Sequence, residues 1–355
     1  MSLSASPFNS LDALRQRFVA GLEDMLARHD GLGVYILVLA NAAQDPELWR
    51  PLCEKLVRRH LGHAAALKTA LRNGAKIEAP EDDLMVFLKL LAFGLDADEF
   101  DHLQVSPSRE IGAWEVQFNP LRALRPARMS EARVEGIMRP FDLNGFHFNK
   151  PFLAKEILWQ GELAGKSARL LYNKFPFAPL HGLLAPEPEL LRPQFLGQEL
   201  HAWAWQVARR AGAAIPGFGL AYNSYGAYAS VNHLHFQTFV RARPLPVQRL
   251  EFAHASSSRY PLPVQRHTDP HSAWLQLDQL HRQDTPYNLI YDAAGVSVIA
   301  RARQGEAPLQ AWSPGFAWSE MAGAFSVSSR ADYDDLTETA IERALAALRV
   351  SARPE

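Results

Sequence analysis

The stretch at residues 232–237, Asn-His-Leu-His-Phe-Gln, limits most strongly what this chain can fold into. β-forming residues surround it, and they predict a strand through residues 231–240. Successive side chains of a strand point to opposite faces, so His233, His235 and Gln237 are expected on one face. Three polar groups on one face of an apolar strand are costly to bury without partners. The fold must therefore satisfy them in an internal network or turn them toward a ligand.

A histidine beside a glutamine is suited to phosphoryl chemistry. A neutral imidazole is a good nucleophile near neutral pH, and a covalent phosphoramidate splits one difficult transfer into two easier displacements. The ring nitrogen that faces away from phosphorus then needs an acceptor, usually a backbone carbonyl or a carboxylate. Gln237 can donate an amide hydrogen to a phosphate oxygen, but it has no titratable proton to exchange with water. A glutamine here favours transfer to an ionised acceptor, such as phosphate or a sugar phosphate, over hydrolysis.

Residues 222–226, Tyr-Asn-Ser-Tyr-Gly, read as a loop before this strand. Gly226 would let backbone N–H groups approach phosphate oxygens closely, and Asn223 and Ser224 would add side-chain donors. Taken alone, the same residues are typical of an ordinary turn. The motif behind the loop is what favours phosphate binding.

Composition narrows the classes of function. The net charge of −1 gives no general attraction to nucleic acid or to an anionic membrane. Cys53 is the single cysteine, which excludes a disulfide scaffold and a cysteine-based zinc site. Tight metal-ligand spacing is missing among the other histidines, at His254, His267, His271 and His281. We therefore expect no metal site and no cofactor, while a magnesium ion that accompanies substrate phosphates stays open.

The chain is expected to be a soluble cytoplasmic enzyme. The apolar run at residues 34–40 is far shorter than the roughly 20 residues that span a bilayer, and no apolar signal core is visible near the N-terminus. With 355 residues, 48% of them hydrophobic, the chain can bury a substantial core and is expected to form more than one domain.

The sequence pattern changes near residue 105. Before it, apolar residues recur at helical spacing, with breaks at Asp45-Pro46 and Asn73-Gly74. This predicts an all-helical accessory region over residues 1–105, which could mediate dimerisation or cap an active site. After it, strands are predicted at residues 114–118, 168–173, 183–185 and 287–299, the last as a hairpin, and helices at residues 194–211 and 332–348. Strands mixed with helices in this order indicate an α+β fold.

Several separated blocks resemble one known family. They are residues 117–120 with Arg122, then residues 140–150, 222–237, 286–290, and finally 322–325 with 332–333. In this order they resemble the GDP-hexose phosphorylases, in the transferase branch of the histidine-triad (HIT-like) superfamily, where glutamine replaces the last histidine of the hydrolases. The resemblance covers roughly residues 108–350. It implies a HIT-like fold with two tandem half-domains that share an antiparallel sheet: a catalytic half at residues 106–245 and a non-catalytic half, without the motif, at residues 246–355.

The resemblance also implies roles for individual residues. His235 is the expected nucleophile, His233 a positioning residue beside it, and His181 an active-site histidine, although a strand-edge histidine bonded to a carbonyl is an equal alternative for His181. Substrate and phosphate contacts are expected at Asn173, Lys174, Lys150, Arg122, Arg125, Asn223, Ser224, Gly226 and Ser230. A lysine or arginine among these residues, taken singly, is more often a solvated surface residue. A homodimer is the superfamily expectation.

One block departs from that family. Residues 173–184 begin Asn-Lys-Phe-Pro and lead to His181, and they resemble the matching segment of diadenosine tetraphosphate phosphorylases instead. This leaves the donor open but not the reaction type, which is nucleotidyl transfer through a covalent nucleotidyl-histidine. We expect GDP-hexose and phosphate to give GDP and hexose 1-phosphate. Phosphorolysis of a dinucleoside polyphosphate, nucleotidyl transfer to a hexose 1-phosphate, and a non-catalytic nucleotide-binding regulator stay open as alternatives.

Overall fold

A computed structural model describes the protein over residues 6–77, 79–94, 97–124, 134–249, 252, 260–313 and 315–350. Its first part is helical, as predicted, with α1 (Leu11–Arg28), α2 (Leu32–Ala42), α3 (Pro46–Arg72) and α4 (Glu81–Leu91). The Asp45 carboxylate accepts the Glu47 N–H and caps the start of α3, while Asn73 caps its end. The predicted breaks at these two places are therefore confirmed.

Helix α2 lies in the predicted all-helical region, although the apolar run at residues 34–40 does not indicate its bounds. Ten of its eleven residues are buried, all except Gly33. It has no polar face from which helical spacing could be read, because it packs against α1, α3 and α4. Among the helices of the described residues, none combines the length and the apolar composition that crossing a membrane requires.

Strands and helices alternate in the rest of the chain, which confirms the predicted α+β fold. The strands of the described residues are β1 (Arg109–Ile111), β2 (Trp114–Phe118), β3 (Ile157–Leu163), β4 (Lys166–Tyr172), β5 (Gly182–Pro186), β6 (Phe218–Asn223), β7 (Phe236–Val240), β8 (Val264–His267), β9 (Tyr287–Asp292), β10 (Gly295–Ala300) and β11 (Ala324–Val327). The helices are α5 (Gln198–Ala214), α6 (Pro270–Arg282), α7 (Trp318–Met321), α8 (Arg330–Asp335) and α9 (Glu338–Ala346).

Two predicted helices have different bounds. Helix α5 begins at Gln198 and not at residue 194, because Gly197 is extended and forms the cap. The predicted helix at residues 332–348 is divided into α8 and α9. The backbone is extended at Leu336, and the Thr337 hydroxyl accepts the Ala340 N–H and starts a new helix there.

The strands form two sheets. Strands β1, β2 and β11 make a small sheet, in which β11 runs parallel to β2. The other eight form an antiparallel sheet in the order β3-β4-β5-β7-β6-β9-β10-β8. This large sheet contains strands from both predicted half-domains, because β6 from the first half pairs with β9 from the second. The predicted boundary at residue 245 therefore does not separate two sheets. The division into half-domains at that residue stays a prediction.

The large sheet is covered on both faces. Along β9, Leu289 and Tyr291 pack into one core with helices α1–α6, and Ile290 packs into a second core with the small sheet and α7–α9. In the first core the Tyr172 hydroxyl of β4 donates to the Phe18 carbonyl of α1 at 2.8 Å. The helical N-terminal region is thus fixed to the sheet that carries the motif.

Gly217, between α5 and β6, lies where two backbone segments come very close. Its φ is +80°, and an added Cβ would collide with the carbonyl oxygen of Arg241. We expect Gly217→Ala to destabilise the fold by roughly 3 kcal/mol, since the strain of positive φ adds to the collision with the backbone just after β7. Urea unfolding followed by circular dichroism measures the loss.

Gly165, in the β3–β4 hairpin, provides the matched control. Its φ is +81°, but no heavy atom lies within 4 Å of an added Cβ. Gly165→Ala should therefore cost only the conformational strain, about 1 kcal/mol. Equal losses in the two variants would contradict the steric explanation.

Candidate active site

His233 and His235 lie in the loop between β6 and β7. Strand β7 begins at Phe236, so the predicted strand through residues 231–240 is wrong for its first half. The reason is pairing, because Phe236 is the first residue opposite β5 and Gln237 the first opposite β6. Before them the chain leaves both neighbouring strands, and the Leu234 N–H donates to the carbonyl of Arg192 instead.

The imidazole of His235 is held in one tautomer. Its Nδ1 lies 2.8 Å from the carbonyl oxygen of His233, so Nδ1 carries the hydrogen and donates it. Nε2 is then the unprotonated nitrogen. Burial lowers the pKa of His235 to about 4, against the opposing effect of the His233 carbonyl. The ring is neutral at neutral pH, and the acceptor that a nucleophilic histidine needs is the carbonyl of His233.

His233 is held through both ring nitrogens. Its Nδ1 accepts the N–H of Phe148 and its Nε2 donates to the carbonyl of Pro188, each at 3.1 Å. Its ring stacks on Phe148, which also meets the ring of His235 edge-on. Burial, together with the nearby His235, lowers the pKa of His233 to about 4. These contacts fit the role of a positioning residue, which stays a prediction.

Gln237 has its amide turned by two neighbours. Its Oε1 lies 2.8 Å from the indole nitrogen of Trp318 and 2.8 Å from Nε2 of His181. An indole can only donate, so the amide oxygen and not the amide nitrogen must face Trp318. The Nε2 group then points away from both partners with two hydrogens to donate, the arrangement that a phosphate oxygen requires.

His181 lies behind Gln237 in the same network. It is fully buried, and its Nδ1 accepts the N–H of Phe177 at 3.3 Å. Because Gln237 presents an oxygen, Nε2 of His181 carries the hydrogen and donates it. The Asn173 amide nitrogen lies 3.2 Å from the same His181 nitrogen, and the Asn173 oxygen accepts the N–H of Phe175. The structure thus brings Asn173, His181 and Gln237 together.

Gln194 is a site residue that the sequence patterns did not reveal. Its side chain is 1% exposed and fills the gap where β6 and β7 separate. Its Oε1 accepts the N–H of His235 at 2.9 Å. Its Nε2 donates to the carbonyls of His235 at 3.2 Å and Asn223 at 2.9 Å. One amide thus makes the pair of backbone bonds that a neighbouring strand would make, and it fixes the backbone of His235.

The end of β6 is arranged differently from the prediction. The Oδ1 of Asn223 accepts the side-chain N–H of Asn288 at 2.7 Å and the backbone N–H of Trp318 at 3.1 Å. The Ser224 hydroxyl accepts the N–H of Tyr287 and donates to the carbonyl of Tyr225. Its hydrogen is directed to a carbonyl of the protein, and a phosphate contact by Ser224 stays a prediction. The same holds for the amide nitrogen of Asn223.

The remaining loop residues have the backbone that a turn requires. Gly226 has φ of +83°, and its carbonyl accepts the N–H of Gln304 at 2.8 Å. Ser230 is exposed. A phosphate contact by either residue stays a prediction.

Those predicted cations that lie in the described residues have partners within the protein. The buried Arg122 guanidinium lies over the ring of Phe177, 4.9 Å from its centroid, and so adjoins the His181 network. Arg125 lies outside the described residues. The two lysines are engaged elsewhere: Lys174 pairs with Asp83 of α4, and Lys150 donates to the carbonyl of Leu143 at 3.2 Å. Phosphate contacts by these cations stay predictions.

Metal-type side chains do not cluster in groups of three or more among the described residues. Cys53 is half-buried in α3. The expected absence of a metal site and of a cofactor stays a prediction.

Comparison with protein families assigns the segment that carries the motif. Residues 113–239 match the family described as GDPGP1-like, N-terminal domain. The matched residues are the GDPGP1-like segment, which is similar to that domain. It contains His181, Gln194, His235 and Gln237 in one unit of sequence, whereas Trp318 lies beyond it.

Two phosphorylases are similar to part of this chain. GDP-L-galactose phosphorylase 1 of Arabidopsis thaliana is 30% identical over 217 residues, which are 52% of this chain and 47% of that protein. GDP-D-glucose phosphorylase 1 of Danio rerio is 33% identical over 136 residues, 38% of each chain. The match thus spans less than half the length of these relatives. The resemblance to GDP-hexose phosphorylases that the motif blocks indicate is confirmed.

A solved structure shares the fold. Yeast Ap4A phosphorylase matches with a TM-score of 0.50 and 15% identity, over 78% of this chain and 98% of that chain. At this identity the likeness concerns the fold alone. It confirms the predicted HIT-like fold over the matched part of the chain.

Gln194→Met keeps the length of the side chain but removes its three hydrogen bonds. The N–H and carbonyl of His235 and the carbonyl of Asn223 would then lack this partner, so we expect a loss of about 2–4 kcal/mol in the free energy of unfolding. Amide hydrogen exchange at His235 should also become faster. Urea unfolding and exchange detected by mass spectrometry measure the two effects.

The exposed Gln279 of α6 offers the control. Gln279→Met should change the unfolding free energy by less than about 0.5 kcal/mol, as is usual for surface substitutions. Unchanged exchange at His235 in Gln194→Met would contradict the role given to the Gln194 amide.

Proposed function

We propose that the protein is a nucleotide-sugar phosphorylase that works through a covalent nucleotidyl-histidine at His235. One observation carries the proposal: an unprotonated Nε2 on His235 lies two residues before an amide of Gln237 that is turned to donate. In this proposal His235 is the nucleophile and Gln237 the phosphate binder. The favoured donor is a GDP-hexose and the acceptor is inorganic phosphate, which gives GDP and hexose 1-phosphate.

Two displacements make up the proposed reaction. In the first, Nε2 of His235 bonds to the α-phosphorus of the donor, the bond to the bridging oxygen breaks, and hexose 1-phosphate leaves with the electron pair. In the second, a phosphate oxygen attacks the same phosphorus and His235 leaves, so GDP forms and the neutral imidazole returns. The His233 carbonyl holds the Nδ1 hydrogen throughout and stabilises the positive charge that the ring develops.

Gln237 favours phosphate over water as the acceptor. Its amide hydrogens can bind the oxygens around the α-phosphorus, but an amide cannot take a proton from an attacking water. Inorganic phosphate arrives already ionised and needs no such base. The covalent intermediate would therefore be passed to phosphate and not hydrolysed.

The donor is proposed from the relatives. Two of them are named for GDP-L-galactose and GDP-D-glucose, which favours guanine and a hexose. A dinucleoside polyphosphate is the second candidate, because residues 173–184 resemble diadenosine tetraphosphate phosphorylases and hold His181 behind Gln237. Transfer to a hexose 1-phosphate would use the same nucleophile with another acceptor.

The proposed setting is the cytoplasm. Nucleotide sugar and phosphate would be the only partners required, without a resident cofactor, and magnesium would enter only with the substrate phosphates. We also propose that the protein forms a homodimer and that it binds neither nucleic acid nor membrane.

Incubation with a donor panel tests the function. GDP-hexoses, UDP-sugars, ADP-sugars and diadenosine tetraphosphate are each incubated with and without phosphate, and the products are separated by chromatography. We expect phosphate-dependent release of GDP from a GDP-hexose, and a loss of at least about 1000-fold in His235→Ala, since the nucleophile is gone. Turnover of diadenosine tetraphosphate alone would favour the second donor. Equal turnover by His235→Ala would exclude the covalent mechanism, and no turnover of any donor would favour a nucleotide-binding regulator.

The pH dependence of the first displacement tests the state of His235. Burial lowers its pKa to about 4, so the nucleophilic neutral ring is present above that pH and lost only as the pH falls through it. Single-turnover labelling of the protein by the donor, without phosphate, should stay nearly constant from pH 8 to pH 5. A histidine with the ordinary pKa of about 6.5 would already lose about 30-fold at pH 5. A decline of that size would contradict the assignment.

A further inference from the structure

Segment 173–177 connects the helical N-terminal region to the network behind Gln237. Asn41 of α2 donates its side-chain N–H to the carbonyl of Asn173 at 2.8 Å. Gln44, just after α2, donates to the carbonyl of Pro176 at 3.2 Å. Asp83 of α4 pairs with Lys174. Three of five consecutive residues are therefore held by side chains of the helical region.

Two of the three residues of the helical region that make these contacts, Asn41 and Asp83, are buried. Asn41 is 2% exposed, and its amide nitrogen uses both hydrogens, one on Asn173 and one on the carbonyl of Leu37 in its own helix. Asp83 is buried as well. Hydrogen bonds away from water are less weakened by solvent than surface contacts. The helical region thus fixes where segment 173–177 lies relative to the sheet.

This segment carries two of the three groups that set the tautomer of His181, and the third is the oxygen of Gln237. Phe177 offers its N–H to Nδ1, which favours a hydrogen on Nε2. Asn173 offers its amide nitrogen to Nε2, which favours the opposite tautomer. The first arrangement wins as the segment stands, because it also satisfies the oxygen of Gln237. A shift that weakened the Phe177 contact would let Asn173 take Nε2 and would remove a donor from Gln237.

We propose that the helical N-terminal region is a positioning element for the phosphate-binding amide of Gln237. It acts through segment 173–177 and the Nε2–H tautomer of His181, and the proposal rests on the phosphorylase function proposed above. Asn41, Gln44 and Asp83 are then positioning residues that touch no substrate. The region would not merely stabilise the fold but would, together with Trp318, hold the amide oxygen of Gln237 inward so that its amide nitrogen meets the substrate.

The test is a double-mutant cycle. Asn41→Ala/Gln44→Ala removes two holds on the segment, and Tyr35→Phe is the control, because it removes a buried hydrogen bond from α2 to His60 that does not reach the segment. We expect the first pair to lower kcat by about 10-fold to 100-fold, as small misplacements of catalytic groups do, and the control to leave it unchanged. In a Gln237→Ala background the same pair should cause no further loss, since the amide it positions is gone. An equal loss in that background, or the same loss in Tyr35→Phe, would overturn the proposal.

NMR of the imidazole nitrogens gives a readout that needs no turnover. The His181 signal, assigned by its disappearance in His181→Ala, should report the Nε2–H tautomer in the natural protein and a mixture in Asn41→Ala/Gln44→Ala. An unchanged tautomer overturns the proposal whatever the activity. A changed tautomer in a protein that transfers no nucleotide would leave the positioning intact and reject the proposed function. Asp83→Asn, which removes only the ion pair to Lys174, takes the place of the double variant if that variant does not fold.

Discussion

The separation of β6 from β7 is the constraint on which the site depends. Two antiparallel strands that part in the middle of a sheet leave backbone groups that must find partners. Here the side chain of Gln194 enters the gap and bonds both backbone groups of His235. Because the strands separate, His235 makes no backbone pair with β5 or β6. Its backbone N–H and carbonyl are nevertheless both hydrogen-bonded, as they would be in a strand. A nucleophile in an ordinary loop would lose that rigidity. A nucleophile inside the strand would lie beside a paired neighbouring strand.

The motif indicates a chemistry, which stays a prediction, and it predicted only part of the backbone. The order of His233, His235 and Gln237 was sufficient to expect a nucleophile, a support and a phosphate binder. The strand was extended too far because β-forming residues continue to Val231, while strand pairing depends on neighbours that the local sequence does not show. Ser224 was assigned from a turn pattern, yet the partner of its hydroxyl, Tyr287, is 63 residues away.

Other parts of the site carried no local signal. Gln194 stands outside every recognised block, and its partners are backbone groups 29 and 41 residues further along the chain. Trp318 precedes the last resembling block and turns Gln237 from 81 residues away. A hydrogen bond between two residues so far apart in sequence leaves no periodic pattern in the sequence. Such a contact is therefore seen only in the folded structure. Helix α2 lies in the region that was predicted to be all-helical, but its bounds could not be read from the sequence because burial on all sides erases the amphipathic pattern.

The pairing of β6 with β9 has a consequence for synthesis on the ribosome. Strand β6 ends at Asn223, and its partner on that side ends only at Asp292. At typical elongation rates the chain spends on the order of ten seconds with this inner strand edge uncovered. An exposed edge of this kind can pair with other chains. Nascent chains stalled in this interval are therefore the form most in need of chaperone protection.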